Sequence, residues 1–139
     1  MADEARNVEM LKAAYRRWSE SKGASADEWM KICHENIDFG SIAQGAAPKV
    51  QYLTAYSSRD ALKDYFDGLS RDWEMVDWVT EEFIAQGDRV VVLSQCTWRY
   101  KRTGKVVSTP KADAWRFAGG KAVEYFEYYD TAQVHAAVM

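Results

Sequence analysis

Four long strand-like runs in the second half of the chain constrain its fold more than any other feature. The runs are Trp73–Ala85, Arg89–Lys101, Val106–Ala118 and Lys121–Tyr129. Three short turns join them, and each suits a β-hairpin; they are Gln86-Gly87-Asp88, Arg102-Thr103-Gly104 and Gly119-Gly120. Because long strands in sequential hairpins twist and coil, the sheet they predict is antiparallel, strongly curved and concave on one face.

The first half of the chain predicts three helices that can cover this concave face. An apolar stripe at i, i+3, i+7 and i+10 spacing indicates a first helix that ends near Gly23; the stripe consists of Val8, Leu11, Tyr15 and Trp18. Ser25 and Glu28 have the spacing of a capping box, which predicts the start of a second helix. Ser58 is predicted to cap a third helix.

The segments between these helices predict one short strand and one long loop. The strand covers Asn36 to Ser41, and the loop runs from Gln44 to Ser57 and contains Gly45 and Pro48. Because helices come first and strands afterwards, the order favours a single α+β domain over residues 1–139. We expect a cone-shaped curved sheet wrapped around three N-terminal helices, with a pocket inside.

Composition excludes several classes of protein. The chain has 18 Lys and Arg against 21 Asp and Glu, without a basic run, so nucleic acid is not an expected partner. Its apolar stretches are too short to span a membrane, and the acidic N-terminus does not resemble a secretory signal, which predicts a cytoplasmic protein. Cys33 and Cys96 fit no metal-ligand spacing and are interpreted as reduced packing residues.

Strand alternation brings two carboxyl groups together with aromatic residues. Asp113, Trp115 and Phe117 share one face of their strand, and a second set shares one face of the last strand; this set is Val123, Tyr125, Glu127 and Tyr129. Aromatic content indicates that this common face is the concave one. Burial would raise the pKa of a carboxyl group there towards neutral pH, as general acids and bases require. Alternatively, a tyrosine, Arg99 or water satisfies each acid and no chemistry follows.

The order of elements and three sequence segments resemble the SnoaL-like family. These segments are Asp113-Ala114-Trp115-Arg116-Phe117, Gly119-Gly120-Lys121 and the final-strand text from Glu124 to Thr131. The family belongs to the nuclear transport factor 2-like superfamily, together with ketosteroid isomerases and limonene epoxide hydrolases. The resemblance implies a cystatin-like α+β barrel. It also implies a range of activities, because superfamily members include isomerases, cyclases, dehydratases, epoxide hydrolases and proteins that only bind.

Individual positions carry the resemblance further. Asp113 is similar to the ketosteroid isomerase aspartic acid that stays protonated and donates to an oxyanion, and Tyr15 lies near the place of that enzyme's oxyanion tyrosine. The isomerase's general base falls on Phe39, with Asp38 one residue away. The arginine–aspartate pair of the epoxide hydrolases falls on Cys96 and Trp98, so an epoxide hydrolase is not expected.

The residues and the resemblance together predict an acid/base enzyme that needs no cofactor or metal. It would isomerise, cyclise or dehydrate a small hydrophobic carbonyl or hydroxyl compound. Asp113 and Glu127 would move protons, Tyr15 would donate to an oxyanion, and Asp38 is a third acid if it faces inward. Ligand contacts are expected from Trp18, Phe39, Trp115, Tyr125 and Tyr129.

Two other functions are also compatible with the sequence. The first is a non-catalytic module that carries a hydrophobic small molecule or a partner protein. The second is assembly through the outer sheet face, where Trp78 and Trp98 are expected in one register. An exposed apolar sheet face usually marks an interface, so a homodimer with two-fold symmetry is predicted.

Overall fold

A computed structural model describes residues 2–43 and 56–139, so most of the predicted loop lies outside the described residues. The helices are α1 (Ala2–Glu20), α2 (Ala26–Ile32), α3 (Leu62–Asp72) and α4 (Thr131–Val138). The strands are β1 (Cys33–Ser41), β2 (Trp73–Gln86), β3 (Arg89–Tyr100), β4 (Val106–Ala118) and β5 (Lys121–Tyr129). Within the described ranges, no helix combines the length and apolar character needed to cross a membrane.

The five strands form one curved sheet in the order β1-β5-β4-β3-β2, which confirms the predicted α+β fold. Strands β2 to β5 are consecutive antiparallel hairpins, as the turn signals predicted. One difference concerns β1, which pairs with β5 in parallel and places Phe39 opposite Tyr125. The sheet is therefore mixed. Because β1 and β5 are far apart in sequence, no hairpin joins them and they can pair in parallel.

Bulges bend the sheet, and a glycine turn connects its last two strands. The pairing register shifts twice between β2 and β3 and once between β4 and β5. A bulge adds one residue to one strand and bends it. Gly119 and Gly120, at φ 57° and 80°, form the turn between β4 and β5, in the left-handed region that a two-residue hairpin turn requires. The bent strands close around α1.

Aromatic rings fill the space between α1 and the concave face. Tyr15 and Trp18 of α1 are 2% and 5% exposed, and Trp18 lies 6.4 Å from both Trp78 and Trp98, measured between ring centroids. The prediction that Trp78 and Trp98 lie on the outer face is therefore wrong. The bulge after Met75 shifts the alternation of β2, so Trp78 points inward together with Met75.

The predicted positions of the helices agree with the structure better than the predicted capping interactions do. Ser25 precedes α2, but its hydroxyl makes no capping hydrogen bond, so the predicted capping box does not form. The Glu28 carboxylate instead lies 3.4 Å from the Arg17 guanidinium. Ser58 accepts a hydrogen bond from the Ala61 amide at 3.1 Å and so caps the turn that leads into α3.

A fourth helix, α4, follows β5 and was not predicted. Asp130 caps it by accepting a hydrogen bond from the Gln133 amide at 3.1 Å. Thr103 of the β3–β4 turn donates to the Ala137 carbonyl at 2.6 Å and ties the end of the helix to the sheet. Val134 of α4 lines a cavity inside the cone, so this helix helps to enclose the interior.

Candidate active site

Two buried carboxyl groups lie side by side in the cone. Asp113 of β4 and Glu127 of β5 are direct partners across the two strands. They are 1% and 2% exposed, and both face the interior as strand alternation predicted. Side chains directly opposite each other in an antiparallel pair lie within contact distance, and like charges there repel. This pair therefore needs a cation or a shared proton.

Lys111 supplies the cation, and sequence reasoning did not select it. Its ammonium nitrogen lies 3.1 Å from Asp113 Oδ1 and 3.1 Å from Glu127 Oε1. The same nitrogen lies 5.1 Å from the ring centre of Trp78. Lys111 precedes Asp113 by two residues, so both side chains point to the same face of β4. This two-residue spacing was the feature of the sequence that could have identified Lys111 as a member of the site.

Arg99, which was considered as a partner for the acids, is engaged elsewhere, and so is Arg116. Arg99 donates to Glu74 at 2.9 Å on the surface. Arg116 contacts Asp88 of the β2–β3 turn and Glu124 of β5, and both of these side chains are half-exposed. The buried carboxyl pair therefore depends on Lys111 for its charge balance.

Tyr15 connects the first helix to Asp113. Its hydroxyl donates to Asp113 Oδ2 at 2.5 Å and accepts from the indole nitrogen of Trp115 at 2.9 Å. Because its donor is already used, Tyr15 orients Asp113 in this arrangement instead of presenting a free hydroxyl.

Tyr125 stands between the two acids. Its hydroxyl lies 3.0 Å from Asp113 Oδ1 and 2.8 Å from Glu127 Oε1, and it accepts from Lys111 at 3.0 Å. A phenol has one proton, so at any moment Tyr125 donates to only one of the two carboxyl groups. Tyr65 of α3 adds a longer contact to Glu127 Oε1 at 3.4 Å.

Burial and charge shift the pKa values of this cluster. Burial raises the pKa of Asp113; Lys111 lowers it, Glu127 raises it again, and the result lies above its ordinary value. Burial lowers the pKa of Lys111, but Asp113 and Glu127 raise it by more, so its pKa lies well above its ordinary value. Burial, followed by the charges of both acids, raises the pKa of Tyr125 well above its ordinary value. Lys111 is thus a permanent cation beside an acid that retains its proton more readily than usual.

Two hollows that share part of their lining adjoin the cluster. The larger is a partly open cavity of about 80 Å³ with mainly apolar walls, and Glu127 and Lys111 contribute to its lining. The predicted ligand contacts Trp18 and Tyr129 line it as well. The deeper hollow measures about 30 Å³, and Asp113 lies in its wall.

Four more predicted residues line the deeper hollow, namely Tyr15, Phe39, Trp115 and Tyr125. Of the residues predicted as catalytic or ligand-binding, Asp38 alone lies outside both hollows. It is exposed on β1, whereas its neighbour Phe39 points inward and stacks on Tyr125 with ring centroids 4.2 Å apart. The parallel register of β1 against β5 fixes this choice, so Asp38 is not the third acid of the cluster. Among the described residues, no three His, Cys, Asp or Glu side chains are grouped as metal ligands.

Comparisons with known proteins agree with this architecture. A family model for the SnoaL-like domain matches residues 11–125, and the chain belongs to this family. No curated protein matches the sequence.

Solved structures show the same fold at low sequence identity. An NTF2-like protein of unknown function from Burkholderia pseudomallei is similar with a TM-score of 0.82 and 15% identity, over 96% of this chain and 98% of that one. A candidate SnoaL-like polyketide cyclase from Jannaschia sp. CCS1 has a TM-score of 0.78 and 17% identity, over 99% and 94%. A Catenulispora acidiphila protein with a ketosteroid isomerase-like fold, in complex with trimethylamine, has a TM-score of 0.74 and 14% identity, over 93% and 91%.

Proposed function

We propose that this protein is a cofactor-independent acid/base enzyme of the isomerase, cyclase or dehydratase type. Its substrate would be a small hydrophobic carbonyl or hydroxyl compound bound in the larger cavity. The observation that carries the proposal is the pair of buried carboxyls, Asp113 and Glu127, around one tyrosine hydroxyl and one buried ammonium. Paired carboxyl groups in a dry environment can divide into an acid and a base.

The chemistry follows from which groups reach the cavity. Glu127, as a carboxylate, would take a proton from the carbon next to a carbonyl group. The negative charge that develops on the carbonyl oxygen would be stabilised by the ammonium group of Lys111, a residue that also lines the cavity. Removing one such preorganised donor typically costs about 3 kcal/mol of transition-state stabilisation. Returning the proton to another carbon gives isomerisation, and attack of the enolate on a second carbonyl gives cyclisation.

The test measures proton abstraction directly, because that step is common to these reactions. The wild-type protein is incubated in D2O with a panel of enolisable ketones, unsaturated ketones and aromatic β-dicarbonyl compounds. Proton NMR follows deuterium incorporation beside the carbonyl, and ligand-observed NMR shows which compounds bind. We expect at least one bound compound to exchange faster than in buffer. Binding of several compounds without faster exchange in any would contradict the enzyme proposal.

Two variants and one matched control assign the exchange to the cluster. Glu127→Gln should lose it because the base is removed, and Asp113→Asn should abolish turnover while circular dichroism shows an intact fold. Glu124→Gln changes a half-exposed carboxylate on the outer face of the same strand and should exchange like wild type. Unchanged exchange in Glu127→Gln or in Asp113→Asn would rule out the assigned mechanism.

The second candidate function is non-catalytic binding of a small molecule. It is favoured by the number of internal contacts that already satisfy Asp113, namely Tyr15, Tyr125 and Lys111. The trimethylamine complex of the Catenulispora protein adds that a protein of this fold can hold a small organic molecule. Compounds that bind without exchanging protons are the outcome that supports this function.

We also propose a homodimer through the outer sheet face. This face carries a continuous row of apolar residues on three paired strands, Val91, Ala114 and Phe126, with exposed Ile84 beside it on β2. Large exposed apolar areas usually mark an interface. Sedimentation equilibrium should give twice the chain mass, and Ala114→Glu, which adds a charge at the centre of the row, should give a monomer. A wild-type monomer would contradict the dimer.

A further inference from the structure

The two hollows differ in which acid they reach. Glu127 lines the larger cavity and Asp113 lines the deeper hollow, and each acid is absent from the lining of the other space. A compound in the larger cavity can therefore touch Glu127, while Asp113 lies behind it. The Tyr125 hydroxyl contacts both acids, at 3.0 Å and 2.8 Å.

We propose that Tyr125 relays a proton between Asp113 and Glu127, so that Asp113 acts as a proton store for the acid that faces the ligand. This inference rests on the proposed function only for the use of the stored proton. Asp113 would be a positioning and storage residue that acts through Tyr125.

The relay moves two protons, each along an existing hydrogen bond. In one state, Asp113 Oδ1 holds a proton and donates it to the Tyr125 oxygen, while Tyr125 donates its own proton to Glu127 Oε1. Transfer along both bonds leaves Asp113 ionised, Tyr125 neutral and Glu127 protonated. No electron moves and no co-reactant is needed. The net result is one proton delivered from the deeper hollow to the larger cavity.

The surroundings favour Asp113 as the store. Burial raises its pKa above the ordinary value, and Glu127 raises it further against the effect of Lys111. The groups that face the two acids come from five elements; they are Tyr15 of α1, Tyr65 of α3, Cys96 of β3, Lys111 of β4, and Tyr125 and Tyr129 of β5. Lys111 is the poorer relay, because its raised pKa keeps all three of its protons in place.

Infrared spectroscopy tests the relay without any substrate. A buried carboxylic acid has a separate C=O band that shifts when its proton is replaced by deuterium. The protein at about pH 5, above the ordinary carboxyl pKa, is mixed rapidly with D2O, and the rate of the shift is followed. The band that Asp113→Asn removes belongs to Asp113. Amide hydrogen exchange on the same samples gives the rate of structural opening, which is the alternative route for exchange.

Three variants decide the outcome. Tyr125→Phe keeps the ring and removes the hydroxyl, and Glu127→Gln removes the carboxylate that accepts the relayed proton. Both variants should therefore slow hydrogen exchange at Asp113 at least about tenfold, towards the rate of structural opening. Tyr128→Phe is the matched control, because Tyr128 is exposed on the outer face of the same strand and lines neither hollow. It should exchange like wild type. If Tyr125→Phe does not fold, Glu127→Gln decides the question alone.

Three results would overturn the relay. The first is wild-type exchange in Tyr125→Phe, the second is equal slowing in Tyr128→Phe, and the third is the absence of an Asp113 acid band in the wild type between about pH 4 and pH 8. The enzyme proposal is judged separately, because slowed exchange without turnover of any compound would support the relay and contradict the enzyme proposal.

Discussion

Replacing Lys111 with methionine should destabilise the protein strongly at neutral pH. Methionine has a similar length and no charge, so the variant leaves Asp113 and Glu127 buried without their cation. The side chains of the three residues are 13%, 2% and 3% exposed, so solvent screens the pair weakly. Breaking a buried ion pair by removing one partner typically costs about 3–5 kcal/mol. We expect about 3 kcal/mol, because Asp113 can take up a proton and relieve part of the repulsion.

The loss of stability in Lys111→Met should increase as the pH rises. Lys111 lowers the pKa of Asp113, so its removal raises that pKa further above the ordinary value of 3.8. A carboxyl whose folded pKa is raised favours the folded state below its unfolded pKa and loses this contribution as pH rises through the folded value. The deficit of Lys111→Met relative to wild type should therefore be small near the ordinary carboxyl pKa and increase as the pH rises above it.

Urea unfolding measured by circular dichroism over a pH series gives the free energy of unfolding. Lys105→Met, at an exposed position between β3 and β4, is the matched control and should unfold like wild type. Combining Lys111→Met with Asp113→Asn and Glu127→Gln should restore much of the lost stability by removing the uncompensated charges. A deficit of the same size at every pH would refute the electrostatic reasoning and point to lost packing instead.

Two further predictions concern buried groups around the site. Tyr15→Phe leaves the Trp115 indole N–H without its acceptor, so it should lower the free energy of unfolding by about 1–3 kcal/mol. The same variant removes a hydrogen bond that lowers the pKa of Asp113, so the Asp113 infrared acid band should persist to higher pH. An unchanged band would contradict that contribution. Burial raises the pKa of Cys33 to about 12 and that of Cys96 to about 11. Both thiols should therefore resist iodoacetamide in the folded protein at about pH 8 and react after unfolding in urea. Rapid labelling of the native protein would contradict this prediction.

Local patterns were sufficient to predict most of the sheet. Turn residues such as Gly119 and Gly120 determine where strands end, and this information is local in sequence. Alternation within β4 and β5 placed Asp113 and Glu127 on the inner face because the pairing around them is regular. The bulge in β2 interrupts the same rule, which is why Trp78 was assigned to the wrong face.

Other features of the site depend on contacts between distant parts of the chain. Whether Asp38 or Phe39 points inward is decided by the pairing of β1 with β5, which local pattern does not specify. Lys111 was missed for a different reason: charged side chains are usually solvated, and its spacing from Asp113 becomes informative only once two buried acids are known to need a cation.

The hydrogen bond between Tyr15 and Asp113 joins residues that are 98 positions apart. During synthesis, the aromatic stripe of α1 leaves the ribosome long before β4 and β5 exist to receive it. Loop closure over such a distance slows folding, because the entropy is lost before the contact forms. The nascent N-terminal half therefore carries an unprotected apolar surface for most of translation, and chaperone engagement should concentrate there.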